Sequence, residues 1–404
     1  MQTLVIVGAS HAAAQLAASL RPDGWQGEIV MIGDEPCLPY HRPPLSKTFL
    51  SGQRSIDELL IRPAAFYDKN RITFRQGRVV AIDRFTRSVT LQDGDTLAYD
   101  QLVLCTGSRV RTVSLPGSDL AGVYYLRNIS DVQAIQPLVR PAGKAVVIGA
   151  GYIGLETAAA LTQQGMQVVV LEAAERILQR VTAPEVSDFY ARIHREQGVH
   201  IHTGVSVTAI TGNGRAQAVV CADGTVFAAD LLIIGAGVIP NVELAIEAGL
   251  EVDNGIVIDE YCRTSASDIF AIGDCANAFH SIYQRRLRLE SVPSANEQAK
   301  IASAALCDIQ RTAQSLPWFW SDQYDLKLQI AGLSQGYDQI VIRGDVQTGR
   351  SFAAFYLKNN RLIAADCVNR PQEFMLSKKL IAVGTPVDPL RLADESIAVG
   401  ALIV

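Results

Sequence analysis

Val146-Val147-Ile148-Gly149-Ala150-Gly151-Tyr152-Ile153-Gly154 carries an apolar run into a Gly-x-Gly-x-x-Gly turn. Glycines at this spacing let the chain turn tightly, let a pyrophosphate approach the backbone and let a helix pack against its strand, while the N–H groups opening the helix face the phosphates. A strand is expected over 144–148, a helix through about Gln164, and a second strand, Gln167-Val168-Val169-Val170-Leu171, ending in Glu172. A carboxylate there accepts hydrogen bonds from the ribose hydroxyls of an adenosine. Upstream the unit recurs as Val5-Ile6-Val7-Gly8-Ala9-Ser10-His11-Ala12-Ala13, a looser Gly-x-Ser-x-x-Ala form. Its helix is expected from Ala12 to Leu20, with a stop at Arg21-Pro22-Asp23-Gly24, and its second strand, Glu28-Ile29-Val30-Met31-Ile32, leads to Gly33-Asp34-Glu35. One such turn can be a packing device; two, each followed by an acid, predict two bound dinucleotides.

The chain has 404 residues, enough for two or three domains with substantial cores. Its 36 basic and 41 acidic residues leave a net charge of -5, which argues against nucleic acid as the main partner. Apolar runs such as Leu231-Leu232-Ile233-Ile234 fall far short of the roughly 20 residues that cross a bilayer. Thr3-Leu4-Val5-Ile6-Val7 enters a strand without the pattern of a secretory signal, so a cytoplasmic protein is expected. Seven cysteines, Cys37, Cys105, Cys221, Cys262, Cys275, Cys307 and Cys367, lack metal-binding or redox spacing, so they read as reduced packing thiols and no metal is expected.

After Ser206, strand-like segments such as Gln217–Cys221 alternate with turns such as Ala222-Asp223-Gly224-Thr225, predicting a small antiparallel meander. From Leu316 onward Trp318, Phe319, Trp320, Tyr324, Phe352, Phe355 and Tyr356 gather among further strand-like segments, marking a C-terminal domain.

Six further stretches, Pro39-Tyr40-His41-Arg42-Pro43-Pro44-Leu45-Ser46-Lys47, Leu104-Cys105-Thr106-Gly107, Tyr152-Ile153-Gly154-Leu155-Glu156, Ile269-Phe270-Ala271-Ile272-Gly273-Asp274, Glu290-Ser291-Val292-Pro293 and Trp318-Phe319-Trp320-Ser321-Asp322-Gln323, carry a family resemblance. With them the chain resembles, over essentially its whole length, the FAD-dependent, glutathione-reductase-like ferredoxin reductases of bacterial oxygenase systems. The resemblance implies an α/β fold of two Rossmann-like dinucleotide-binding domains plus a C-terminal α+β domain. A discontinuous FAD domain would take 1–108 and 238–314, an NADH domain 109–237 and the C-terminal domain 315–404. Cys105 stands where the family usually has alanine, which implies only a packing difference.

The resemblance also assigns roles. FAD would be contacted by Gly8, Ser10, Ala12, Ala13, Asp34, Arg42, Lys47, Val79, Arg127, Asp274, Val292 and Trp320. NADH would be held by Gly149, Gly151, Tyr152, Ile153, Gly154, Glu156 and Glu172. Lys47 and Glu156 would pair near the flavin N5 as the catalytic residues. Plainer readings stand beside these: a solvated Lys47, an exposed helical Glu156, a core Trp320, and an Asp274 that caps a helix opening at Cys275. Glu172 would also repel the 2′-phosphate of NADPH, with Arg176 near enough in sequence to soften the preference. His11 reads as packing near the first turn, since hydride transfer needs alignment and no protein acid at that step.

With no Cys-x-x-Cys beside either turn, the electrons are expected to leave singly to an external [2Fe–2S] ferredoxin that serves a P450 monooxygenase or a Rieske aromatic-ring dioxygenase, as part of aromatic hydrocarbon catabolism. Ferredoxins are usually acidic, so Arg62, Lys300 and the cluster Arg285, Arg286 and Arg288 are candidate docking charges. The family resemblance favours a monomer. Rubredoxin reductase, NADH oxidase or disulfide reductase, and a redox-sensing flavoprotein are the alternatives.

Overall fold

A computed structural model describes residues 2–312 and 316–402. It divides into two compact units: Met1–His41, Ile56–Arg109 and Val238–Pro317 form the first, and Arg42–Ser55, Val110–Gly237 and Trp318–Val404 the second.

The first unit is built on a five-stranded parallel sheet in the order Ile269–Ala271, Gln101–Leu104, Thr3–Val7, Glu28–Gly33, Ile72–Gln76. Its central strands are continuous apolar runs because parallel strands are covered on both faces; Leu4, Val5 and Ile6 are wholly buried beside Leu102, Val103 and Leu104. The helix between the first two strands spans His11–Asp23, longer than expected. Arg21 and Pro22 lie within its last turn, and Gly24, at φ 111°, supplies the stop by donating its N–H to the carbonyls of Leu20 and Arg21. Arg21 also ties that turn down by donating to the carbonyls of Asn70, Trp25 and Gly27.

The second unit repeats the plan, with parallel strands in the order His200–His202, Gln167–Leu171, Lys144–Ile148, Leu231–Ile234, Val123–Tyr124. The expected meander is present as Val207–Thr211, Ala218–Cys221 and Val226–Ala228, all antiparallel. A matching meander, Val79–Asp83, Ser88–Leu91 and Thr96–Ala98, sits in the first unit, so the duplication is wider than the strand–helix–strand units read from the sequence. Residues 318–368 form a five-stranded antiparallel sheet in the second unit, and the helix Pro371–Val383 packs against its strands. Among the described residues no cysteine is in a disulfide, and no helix is long and apolar enough to cross a membrane.

Candidate functional site

In the second unit each glycine of the full fingerprint has its own physical reason. Gly149 turns at φ 102°, and a Cβ on it would lie 2.4 Å from the Gly235 carbonyl oxygen. A Cβ on Gly154 would lie 2.1 Å from the Gly149 carbonyl oxygen, so the helix Tyr152–Gln163 can sit on the turn only without a side chain there. Gly151 differs: its backbone is extended and a Cβ would meet nothing within 4 Å. Protein packing does not require that glycine, whereas a pyrophosphate brought against the turn would. Gly151 is also the N-cap and has no side chain to spend on the helix's first N–H groups. The residues present therefore fit a bound dinucleotide.

Glu172, just past the strand Gln167–Leu171, is fixed over this turn: Ala150 N–H donates to its Oε2 at 2.7 Å and Ala174 N–H to its Oε1 at 2.9 Å. Each oxygen keeps a lone pair for a ribose hydroxyl. Arg176, the possible counter-charge, donates to Ser187 Oγ on the helix Pro184–Glu196 at 2.5 Å and to the Gln179 carbonyl, which commits it to these partners. Tyr152 packs its ring 5.1 Å from that of Phe319, and burial raises its phenol well above the usual range. Ile153, the next residue, is exposed.

The same unit brings Lys47 and Glu156 together. Pro43 and Pro44 start a short 3-10 helix, Pro43–Ser46, which Lys47 closes by donating its N–H to the Pro44 carbonyl. Glu156, on the helix Tyr152–Gln163, is 6 % exposed and accepts three bonds: Lys47 Nζ at 2.9 Å and Ser321 Oγ at 2.7 Å on Oε1, and Ser46 Oγ at 2.6 Å on Oε2. This removes the reading of Glu156 as an exposed helical residue. Lys47, 18 % exposed, is held as an ion pair rather than solvated. Ser46 and Ser321 were not singled out in the sequence; the one signal was their presence inside the Pro-Pro-Leu-Ser-Lys and Trp-Ser-Asp-Gln stretches. Nearby in the chain, Arg42 donates to the Arg127 carbonyl at 2.8 Å, and Arg127 N–H donates to Asp131, the residue that closes a capping box with Asn128. Trp320 is half-buried on the strand Trp318–Gln323, with its ring 5.6 Å from that of Trp318.

In the first unit three of the residues read as FAD contacts lie just past the carboxyl ends of strands of the one parallel sheet, the edge at which open α/β sheets bind ligands. Gly8 follows Val7, Asp34 follows Gly33, and Asp274 comes three residues after Ala271. Gly8 turns at φ 107°, and a Cβ on it would lie 2.1 Å from the Cys105 carbonyl oxygen. Ser10 takes the N-cap position in extended backbone, Ala12 and Ala13 are buried, and Asp34 is exposed. His11 places its ring 5.5 Å from that of His41. Asp274 accepts from Ser108 Oγ at 2.8 Å. It caps no helix, because the chain after it becomes the strand Ala276–His280, so that reading is corrected. Val79 is a buried residue of the meander, and Val292 opens the helix Val292–Leu306 behind its N-cap Ser291.

Of the basic candidates, Arg62 and Lys300 are exposed. Arg285 and Arg286 of the arginine cluster are exposed on the strand Arg285–Leu287, and Arg288 follows it. Arg286 donates to the Ile258 and Asn277 carbonyls, and Arg288 pairs with Glu290 at 2.6 Å and donates to the Asp274 carbonyl. Only the Arg288 charge is paired within the fold; Arg286 bonds to neutral carbonyls and, like Arg285, is exposed.

Residues 2–299 match the family model described as pyridine nucleotide-disulphide oxidoreductase, and residues 318–403 that of the reductase C-terminal domain. The chain is 44 % identical over 407 residues to putidaredoxin reductase of Pseudomonas putida, covering 99 % of this chain and 96 % of the relative. It is 42 % identical over 396 residues to the ferredoxin–NAD(+) reductase component of the anthranilate 1,2-dioxygenase system of Burkholderia cepacia, covering 97 % of each. The solved covalent complex of putidaredoxin reductase with putidaredoxin matches with a TM-score of 0.97 and 44 % identity, over 100 % of this chain and 98 % of that one.

Proposed function

We infer the activity from kinship and site together: the chain belongs to the pyridine nucleotide-disulphide oxidoreductase family, and it is an NADH-dependent, FAD-containing reductase of a ferredoxin that serves an oxygenase. The observation that carries this reading is the pairing of two dinucleotide-binding folds with a Lys47–Glu156 ion pair, its carboxylate buried and its lysine on a turn, Pro43–Lys47, that contains no cysteine. A disulfide reductase needs a thiol there; a single-electron reductase does not.

Bound FAD supplies the conversion between a two-electron hydride donor and a one-electron acceptor. The protein's share is binding, alignment and charge. For NADH, the proposed contacts are the turn Gly149, Gly151 and Gly154 with Tyr152 and Ile153, which receive the pyrophosphate, Glu172, which accepts from the ribose hydroxyls, and Glu156. For FAD, they are Gly8, Ser10, Ala12, Ala13, Asp34, Arg42, Lys47, Val79, Arg127, Asp274, Val292 and Trp320. Lys47 supplies a fixed positive charge, and Glu156, with Ser46 and Ser321, sets where that charge sits. The assignment of 1–108 with 238–314 to FAD, 109–237 to NADH and 315–404 to a C-terminal domain belongs to the same proposal. So do a monomer, a place in aromatic hydrocarbon catabolism and residence in the cytoplasm, where thiols outside disulfides, as all seven are here, stay reduced.

Anaerobic addition of NADH to the purified yellow protein tests this directly. The flavin absorbance should bleach fully with one equivalent and return on adding oxidised [2Fe–2S] ferredoxin, faster than with rubredoxin. Bleaching that only a disulfide substrate reverses would refute the assignment.

A further inference from the structure

Glu156 stands at the end of a row of buried polar side chains in the second unit. Ser321 Oγ lies 2.7 Å from Glu156 Oε1, Gln323 Nε2 lies 3.2 Å from Ser321 Oγ, His194 Nε2 lies 2.8 Å from Gln323 Oε1, and Tyr324 Oη lies 3.0 Å from His194 Nδ1. Ser321, Gln323 and His194 are all essentially inaccessible to solvent. The row runs from the helix Pro184–Glu196 through the strand Trp318–Gln323 to the helix Tyr152–Gln163.

Its polarity is set by its end. The Glu156 carboxylate paired with Lys47 only accepts, so Ser321 spends its single proton on Oε1 and must itself accept from the Gln323 amide nitrogen. That orientation turns the Gln323 carbonyl toward His194, which then carries its proton on Nε2 and leaves Nδ1 to accept from the Tyr324 hydroxyl. A flipped Gln323 would draw the Ser321 proton away from Glu156. Burial keeps the ring neutral near pH 7, pushing the His194 pKa down to about 4, and the hydrogen bonds alone decide between the two neutral tautomers.

We propose that His194 and Gln323 are positioning residues for the reductase reaction: acting through Ser321, they fix the Glu156 carboxylate and with it the place of the Lys47 ammonium. This rests on the role given above to the Lys47–Glu156 pair. Neither His194 nor Gln323 touches Lys47 or Glu156 in the structure's hydrogen bonds, so their effect passes entirely through the orientation of Ser321.

The test uses the FAD-loaded protein. In the unaltered holoprotein, nitrogen-15 NMR of the histidine side chains, with the signal assigned by its loss in His194→Phe, should show His194 as the neutral Nε2–H tautomer at pH 7. In stopped-flow, His194→Phe and Gln323→Leu should slow flavin reduction by NADH on the order of tenfold, less than the roughly hundredfold that a misplacement of about 1 Å can cost, with the NADH Kd changed less than about twofold. His194→Gln, whose amide nitrogen reaches the Nε2 position, should restore most of the rate; general loss of packing would show no such rescue. An Nδ1–H tautomer, or unchanged reduction rates in both variants, overturns the proposal. Glu156→Gln run alongside separates the two levels: if it slows reduction and His194→Phe does not, the positioning role alone fails. If Glu156→Gln is itself without effect, the role of the ion pair fails and the positioning role with it.

Discussion

Lys47 and Glu156 meet through a fold that spans the sequence between them, and the serine bonds to Glu156 join residues 110 and 165 positions apart. No periodicity or local spacing reports such contacts, so Lys47 and Glu156 were legible only through the stretches that resemble the family, and Ser46, Ser321, Gln323 and His194 had no separate signal. The glycines were legible because their reasons are local, and they separate ligand binding from folding. Gly151→Ala keeps an allowed backbone and open space, so Tm should hold, within about 0.5 kcal/mol for a site without packing consequences. Its KM for NADH should rise by about tenfold, or about 1.4 kcal/mol. Gly154→Ala drives a methyl into the Gly149 carbonyl and should lower Tm as well. If thermal melts and NADH kinetics give the same ranking for both variants, the open face at Gly151 is not a phosphate site. Lys47→Met, which removes the charge while keeping the stem, should slow flavin reduction on the order of a hundredfold, the range seen on loss of one preorganised electrostatic donor; a rate within threefold of the unaltered protein would dismiss the charge's role. Glu172→Ala should narrow the preference for NADH over NADPH by about tenfold or more, since a carboxylate near a 2′-phosphate repels by up to about 4 kcal/mol before screening. An unchanged kcat/KM ratio for the two nucleotides would place the 2′ position elsewhere.

The strands and helices repeat this division between local and distant causes. Parallel strands with both faces covered announce themselves as apolar runs, and the two strand–turn–helix units were read correctly but for the helix that passes through Pro22 to Gly24. The Val79–Asp83 meander was missed because its strands alternate weakly, with Val80 and Ala81 both exposed and Phe85 fully exposed at the turn. On the strand Arg361–Val368, which pairs with Ser351–Lys358, Asp366 is buried; Thr182 Oγ1 and Tyr356 Oη donate to its Oδ2, each at 2.5 Å, and burial raises its pKa to about 6. A carboxyl whose folded pKa lies above its unfolded value of 3.8 contributes stability that is complete below pH 3.8 and is lost as the pH rises through 6, about 3 kcal/mol for a shift of two units. His194 works in the opposite sense: its pKa falls from 6.5 to about 4, so its contribution is present above 6.5 and is lost as the pH falls toward 4. The two offset each other between pH 4 and 6. Asp366→Asn should therefore uncover a loss of stability on acidification across that window, read by urea unfolding at several pH values. A variant whose pH dependence parallels that of the unaltered protein would show that Asp366 does not titrate there.

For the molecule as a whole, duplication is the organising fact: each unit carries a parallel sheet, a glycine turn at a strand end and an antiparallel meander, and the turns alone were enough to see the pair. Electrostatics was harder to read, because the sequence shows charges and not their partners. Arg288 is occupied within the fold by Glu290, which leaves Arg285 and Arg286 exposed beside the other two candidates, Arg62 and Lys300, for steering an acidic partner. Reversing the latter two, Arg62→Glu with Lys300→Glu, should lower the rate of ferredoxin reduction at low ionic strength by about tenfold and flatten its salt dependence, while flavin reduction by NADH stays unchanged. An unaltered salt dependence would move the docking surface away from these residues.

The most direct measurement follows cytochrome c reduction by the purified protein and NADH, with and without an added [2Fe–2S] ferredoxin. An NADH:ferredoxin reductase predicts a slow background that the ferredoxin accelerates many-fold, saturating with its concentration. NADH consumption at one rate, whether or not ferredoxin is present, with oxygen or a disulfide as the acceptor, would contradict the assignment.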